Sequence, residues 1–256
     1  MKKAELKAYL DKKVEEYNVS DFVALDPISI PHSYSKKQDI EITAFWVSML
    51  SWGLRKTIIN KSKELFAIMG DSPYEFIVNH EEKDRERFDT FKHRTFQYTD
   101  TLYFLDYLQR YYRTHDSLEQ AFTKHLTPTS DHVGNAISGF HDDFFDIEYA
   151  PQRTRKHVAT PVRGSTCKRI NMFLRWMVRD ASTSVDFGLW NTLQPSQLLM
   201  PLDVHVDRVG RKLKLIKRKQ RDFQTVLELT KSLKRFDPND PVKYDFALFG
   251  VGVMEK

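Results

Sequence analysis

An all-α fold is the expectation for this chain, and three observations support it. Apolar residues recur at spacings of three and four along much of its 256 residues. Glycine (9) and proline (10) are sparse and fall between the periodic segments. Several of those segments open on Asp or Ser followed by proline, the signature of a capped helix start. There is no repeat of solenoid length and no low-complexity tract. A chain of this size buries a sizeable core, as one large domain or two closely packed lobes.

Taken in order, a first helix over about Lys3 to Tyr17 places Leu6, Leu10 and Val14 on one stripe. Asp26-Pro27 and Ile30-Pro31 then make an irregular link. From Lys37 the residues Ile40, Ala44, Val47 and Leu50 recur at helical spacing, and Trp52-Gly53 closes that helix. The next helix carries Ile58, Leu65, Phe66 and Met69 and ends at Gly70, after which Asp71-Ser72-Pro73 caps a third. A charged stretch, Glu81 to Arg87, gives way to an aromatic one in which Leu102, Leu105, Leu108 and Tyr112 share a helix face, so most of its rings are expected in the core. Asp116-Ser117 and Ser130-Asp131 open two short helices, the second with Val133, Ile137, Phe140 and Phe144 inward.

Between Tyr149 and Ser165 periodicity is lost, and Pro151, Pro161 and Gly164 mark an exposed loop. The helix from about Thr166 sets Ile170, Phe173, Leu174 and Met177 on one stripe and Lys168, Met172, Arg175 and Arg179 opposite it. A further irregular link around Gly188 and Trp190 leads to Pro201 and a helix capped by Asp203, with Val206, Val209 and Leu213 inward. The last helices run from Asp222 to Arg235 and from Pro241 to about Gly250.

The charge is uneven. A formal +5 favours an acidic partner. From Pro151 to Arg179 the chain holds Arg153, Arg155, Lys156, Arg163, Lys168, Arg169, Arg175 and Arg179 with no acidic residue, and a solvated face normally mixes signs. This run is expected to bind phosphates, with a second basic surface at Arg208, Arg211, Lys212, Lys214, Lys217, Arg218, Lys219 and Arg221. The single cysteine, Cys167, excludes an intramolecular disulfide, an all-cysteine zinc site and a four-cysteine iron–sulfur cluster, and points to a reducing compartment. His141 and His205 lack the spaced partners of a metal site, so neither metal nor cofactor is expected. Residues 1–17 mix Lys and Glu, and no apolar run approaches the ~20 residues of a membrane span. A cytoplasmic protein with no membrane partner follows as the expectation.

Two residues invite chemistry. Lys168 stands at the start of one helix and Asp203 at the start of another. A lysine nucleophile must shed its proton before attacking, and a nearby carboxylate stabilises the positive charge that develops. Each also has a plain reading, as a surface lysine and as a helix cap.

Leu202-Asp203-Val204-His205-Val206-Asp207-Arg208-Val209, leading into Leu213-Lys214-Leu215, resembles the catalytic-aspartate signature of the helix-hairpin-helix (HhH-GPD) DNA glycosylase superfamily, which includes endonuclease III, oxoguanine glycosylases and the archaeal GO glycosylase. Leu50-Ser51-Trp52-Gly53 and the helix after it are similar to that family's early helix pair, whose loop fills the space left by an extruded base. Lys168, within Cys167-Lys168-Arg169-Ile170, matches the position of the catalytic lysine of bifunctional members, and Gly164 stands where the family has a Gly-x-Gly turn. The whole chain, especially Lys168 to Arg179 and Asp237 to Phe246, also resembles a set of uncharacterised bacterial proteins known only as a domain of unknown function.

The resemblance implies a two-lobed glycosylase-like fold with a cleft between lobes: one lobe of about residues 1–37 plus 200–256, the other of about 38–199, together forming a single domain over 1–256. It implies a monomeric base-excision repair enzyme acting on double-stranded DNA with a flipped base. Lys168 and Asp203 would be catalytic, and Arg163, Gly164, Arg169, Arg175, Arg208, Trp52 and Arg55 would contact the nucleic acid. The alternative is a non-catalytic DNA- or structured-RNA-binding protein that retains the fold; a helical scaffold without nucleic acid is the third reading.

Overall fold

The computed structural model describes residues 2–254, so Met1, Glu255 and Lys256 lie outside it. Thirteen α-helices occur among the described residues, joined by short 3-10 turns, with no strand and one isolated bridge pair, His93 with Phe96. They are α1 (Lys3–Tyr17), α2 (Asp21–Ala24), α3 (Lys37–Leu50), α4 (Arg55–Met69), α5 (Pro73–Asn79), α6 (Glu82–Arg85), α7 (Tyr98–Tyr112), α8 (Glu119–Thr123), α9 (Gly134–Phe144), α10 (Lys168–Val178), α11 (Val204–Lys212), α12 (Phe223–Lys234) and α13 (Tyr244–Met254). No described helix is long and apolar enough to cross a membrane.

Local chemistry sets most boundaries. Ser72 accepts the Glu75 amide at the start of α5, and Asp222 accepts the Thr225 amide at 2.9 Å at the start of α12. Gly70, at φ 80°, ends α4. The helix expected to run to Gly53 stops at Leu50 instead, and Ser51 caps it by bonding its hydroxyl to the Val47 carbonyl at 2.8 Å.

The chain divides into two compact units. One comprises Met1–Phe22, Leu126–Ser138 and Thr160–Lys256; the other comprises Val23–His125 and Gly139–Ala159. Residues 126–138 and 160–199 group with the chain ends. The reason is ionic as well as apolar: Arg175 and Arg179 of α10 pair with Asp245 and Asp240 near the C-terminal end.

In the unit holding the termini, α13 packs on both α1 and α11. Leu10, Val206, Tyr244, Ala247 and Leu248 are fully or almost fully buried there. Gly250 makes the α1 contact possible, since a Cβ on it would lie 2.2 Å from the Tyr17 ring. In the other unit the core is aromatic. Phe45, Phe104, Phe140 and Phe144 are wholly buried, and Tyr107 meets Phe144 with ring centroids 4.2 Å apart. The aromatic segment around α7 is thus chiefly packing.

Candidate active site

Within the first unit, the chain passes from a 3-10 turn, Pro161–Arg163, into α10 through Gly164, Ser165, Thr166 and Cys167. Thr160 caps the turn by accepting the Val162 amide. Gly164 follows at φ 73°, a left-handed backbone that suits glycine, with open space where a Cβ would stand. Its carbonyl accepts the Phe223 amide at 3.1 Å, which fastens the turn to the start of α12. Arg163 and Gly164 are exposed at its tip. Cys167 is buried, and burial pushes its thiol up to about 12, so it is an inert packing residue.

Lys168 is the first residue of α10 and partly exposed, with its Nζ 3.3 Å from Met172 Sδ. Asp203 is the N-cap of α11. Its Oδ1 accepts the amides of His205 at 2.8 Å and Val206 at 2.9 Å, as expected for a cap.

A third ionisable residue belongs to the same unit. Asp245 lies on the first turn of α13, 5% exposed, with one oxygen paired to Arg175 and the other, Oδ1, buried without a hydrogen-bond partner. Burial drives this carboxyl up to about 6; Asp203 adds to the rise, and Arg175 and Lys168 oppose it. α10, α11 and α13 belong to one unit, with α13 packed on α11 and joined to α10 by the Arg175–Asp245 pair.

Arg175 requires a correction. Expected on DNA, it is 4% exposed; its Nε donates to Asp186 at 3.3 Å, an Nη donates to Asp245, and its guanidinium sits 4.4 Å from the Phe246 ring centroid. Arg179 is equally consumed, pairing with Asp186 at 2.5 Å and Asp240 at 2.9 Å. The helix has no wet face to offer: every residue from Ile170 to Val178 is buried. Acids from elsewhere in the chain thus neutralise these two arginines of the run, and Arg153, 3.0 Å from Asp100 in the other unit, is paired in the same way.

The other expected contacts are distributed as follows. Arg169, next to Lys168, is largely buried, and burial pulls its guanidinium down to about 10. Arg208 is exposed on α11 and donates to the Gly252 carbonyl at 2.5 Å. Lys212 and Lys214 line a groove with Lys3 and Arg235, floored by Leu215 and Phe236. Trp52 and Arg55 belong to the other unit, where Trp52 stacks on His157 at 5.6 Å and Arg55 approaches Asp26 at 3.9 Å. Among the described residues, no group of three His, Cys, Asp or Glu is arranged to hold a metal.

A family model described as a protein of unknown function (DUF2400) matches residues 26–254. The chain belongs to that family. No curated protein and no solved structure matches it. The DUF2400 match takes in Lys168, Asp203 and Asp245 together with Trp52 and Arg55.

Asp245 and Asp186 were not among the residues expected to matter. For Asp245 a signal existed: it is a lone carboxylate in the apolar run Tyr244-Asp245-Phe246-Ala247-Leu248-Phe249, where an unpaired charge is costly. Asp186 sits in an irregular link and offers no such cue.

Proposed function

We propose that this protein is a bifunctional DNA glycosylase of base-excision repair, with Lys168 as nucleophile and Asp203 as its electrostatic partner. The observation that carries the reading is that Lys168 opens α10 and Asp203 caps α11 within one unit, with α13 packed on α11 and joined to α10 by the Arg175–Asp245 pair. The all-helical make-up and the glycine turn leading into the helix of Lys168 support a fold like that of the HhH-GPD superfamily. The exposed Arg163, Gly164 and Arg208 are the groups of this unit offered to phosphates.

In this reading a damaged base leaves the stack at a cost of a few kcal/mol, smaller for a mispaired or damaged one. The neutral amine of Lys168 forms a bond to the anomeric carbon as the glycosidic bond breaks, and the base departs with the bonding pair. Ring opening gives a Schiff base between Lys168 and the sugar. Loss of a proton from the neighbouring sugar carbon then expels the 3′ phosphate and cuts the strand. The Asp203 carboxylate, held rigidly by its two amide bonds, stabilises positive charge on the sugar.

Incubation with a panel of lesion-bearing duplexes and borohydride tests this. The expected result is a covalent protein–DNA adduct that Lys168→Gln abolishes; no adduct with any lesion, or an undiminished one from the variant, refutes the assignment. The second reading, a non-catalytic nucleic-acid-binding protein, draws on the structural jobs both residues already have, Lys168 against Met172 and Asp203 as a cap. Its expected result is salt-dependent binding unchanged by Asp203→Asn, without cleavage.

A further inference from the structure

We propose that the groove between the start of α1, the end of α11 and the end of α12 docks an acidic peptide segment of a partner protein. The segment's apolar side chains enter the groove and its carboxylates meet the cationic rim. The inference is independent of the roles given to Lys168 and Asp203, neither of which lines this groove.

The groove belongs wholly to the unit that holds the chain ends, and its volume of about 390 Å³ falls within the ~300–1,000 Å³ range of ligand sites. Its floor is apolar. Leu215 and Phe236 are buried, and Leu6 and Leu213 are half-buried. Its rim is cationic: Lys3, Lys212, Lys214 and Arg235 are all exposed, and no acid lines the groove.

Elsewhere in the same unit, basic residues are matched by acids. Arg211 pairs with Asp207 at 2.9 Å and Arg218 with Asp222 at 2.7 Å. The four rim cations pair with no carboxylate among the described residues; Arg235 donates its Nε to the Ser232 carbonyl at 3.4 Å, a contact that leaves its charge unneutralised. The acids next to the lining in sequence are engaged: Glu5 accepts the Lys2 amide at 2.9 Å, and Asp237 pairs with Lys243 at 2.6 Å. Four unmatched cations around one depression call for an anion from outside.

Lys214 adds an observation from the backbone. It follows the last turn of α11 at φ 58°, the left-handed position that ordinarily falls to glycine, with its amide on the Arg211 carbonyl at 3.0 Å and the Leu215 amide on the Gly210 carbonyl at 2.8 Å. A lysine is strained there and a glycine would be relaxed. What the lysine supplies in return is a charge at the rim of the groove.

The floor selects among polyanions. A nucleic-acid backbone would satisfy the rim and leave the apolar floor without a partner. Stacking of a base needs an exposed ring face, and Phe236, the aromatic residue of the lining, is 8% exposed. A peptide with Leu, Met or Phe between its acids uses both parts of the groove. Burial of its apolar side chains supplies affinity, while the exposed rim supplies orientation and encounter rate.

The test pans a displayed library of random peptides on the full-length protein without DNA, then measures binding of the enriched peptides by fluorescence anisotropy. Enriched peptides should combine Asp or Glu with large apolar residues. Lys214→Gly should weaken their binding by about threefold, the scale of one exposed ion pair, while the melting temperature stays level or rises. That split separates the lysine's charge from any part in holding the fold. Lys212→Glu combined with Lys214→Glu should weaken binding by at least about tenfold, as should replacement of the peptide's apolar residues by serine. A single-stranded oligonucleotide of equal charge should not displace the peptide. No enrichment, enrichment of peptides without acids, or full affinity in the doubly reversed variant overturns the inference. Serine-substituted peptides that bind as well, or displacement by the oligonucleotide, also overturn it and leave a groove that reads charge alone.

Discussion

Arg175 on α10 pairs with Asp245 on α13 across 70 positions of sequence, and both side chains are almost completely buried. The same guanidinium reaches Asp186, and Arg179 bridges Asp186 to Asp240, so two arginines serve three carboxylates. Removing one partner of such a cluster strands the others in a low-dielectric interior, where a lone charge costs far more than its pairing returned.

Arg175→Ala should therefore destabilise the protein by about 3–5 kcal/mol, read from urea unfolding at pH 7. Arg175→Lys should recover only part of this, because an ammonium lacks the planar fork that addresses Asp186 and Asp245 together.

Asp203 separates stability from chemistry. Asp203→Ala removes the acceptor of the His205 and Val206 amides and should cost about 1 kcal/mol in thermal unfolding, whereas Asp203→Asn keeps a cap oxygen and should cost little. Both variants remove the negative charge, and both should lose adduct formation with lesion-bearing DNA. An Asn variant that keeps wild-type trapping leaves Asp203 with its cap role alone.

These two residues also show how much of the protein was legible in sequence. The Asp203 cap, the Ser72-Pro73 helix start and the Gly70 helix end depend on atoms within a few positions of each other, so local pattern suffices to find them. The position of Arg175 does not depend on local pattern. Helical periodicity assigned it to a wet face by assuming that a charged stripe faces water, and α10 instead meets carboxylates brought from Asp186, Asp240 and Asp245. Asp245 was readable only as an anomaly, a charge in an apolar helix, with nothing to name its partners.

Asp245 makes a pH prediction of definite sign. Its carboxyl is raised in the fold, from 3.8 to about 6, so the stability it contributes is fully present below about pH 4 and is lost as pH rises through about 6. Other carboxylates, such as Asp11, Asp143 and Asp237, are lowered and act in the opposite direction. The isolating measurement is the difference in unfolding free energy between wild type and Asp245→Asn. That difference should move against wild type between pH 4 and 6, and a flat difference would contradict the burial of a titrating carboxyl there.

Asp100, in the other unit, should do the reverse. Its side chain is fully buried; Oδ1 accepts the Thr154 hydroxyl at 2.7 Å, and Oδ2 accepts the Gln97 amide at 2.8 Å with Arg153 at 3.0 Å and His157 at 3.4 Å. Burial alone would raise this carboxyl, but the His157 ring, the Thr154 hydroxyl and the Gln97 amide together outweigh it and hold the group below its usual 3.8. A depressed carboxyl contributes stability above the unfolded value and loses it as pH falls through the folded one. Asp100→Asn should therefore cost about 1–3 kcal/mol at pH 7, the range for disturbing a buried charged acceptor. The gap between variant and wild type should narrow steadily below pH 4. Because α7 starts at Gln97–Tyr98 and the Arg153–His157 segment closes over it, the same variant should also raise amide hydrogen exchange at that helix start. Unchanged exchange there would mean that the carboxylate carries charge without holding the segment in place.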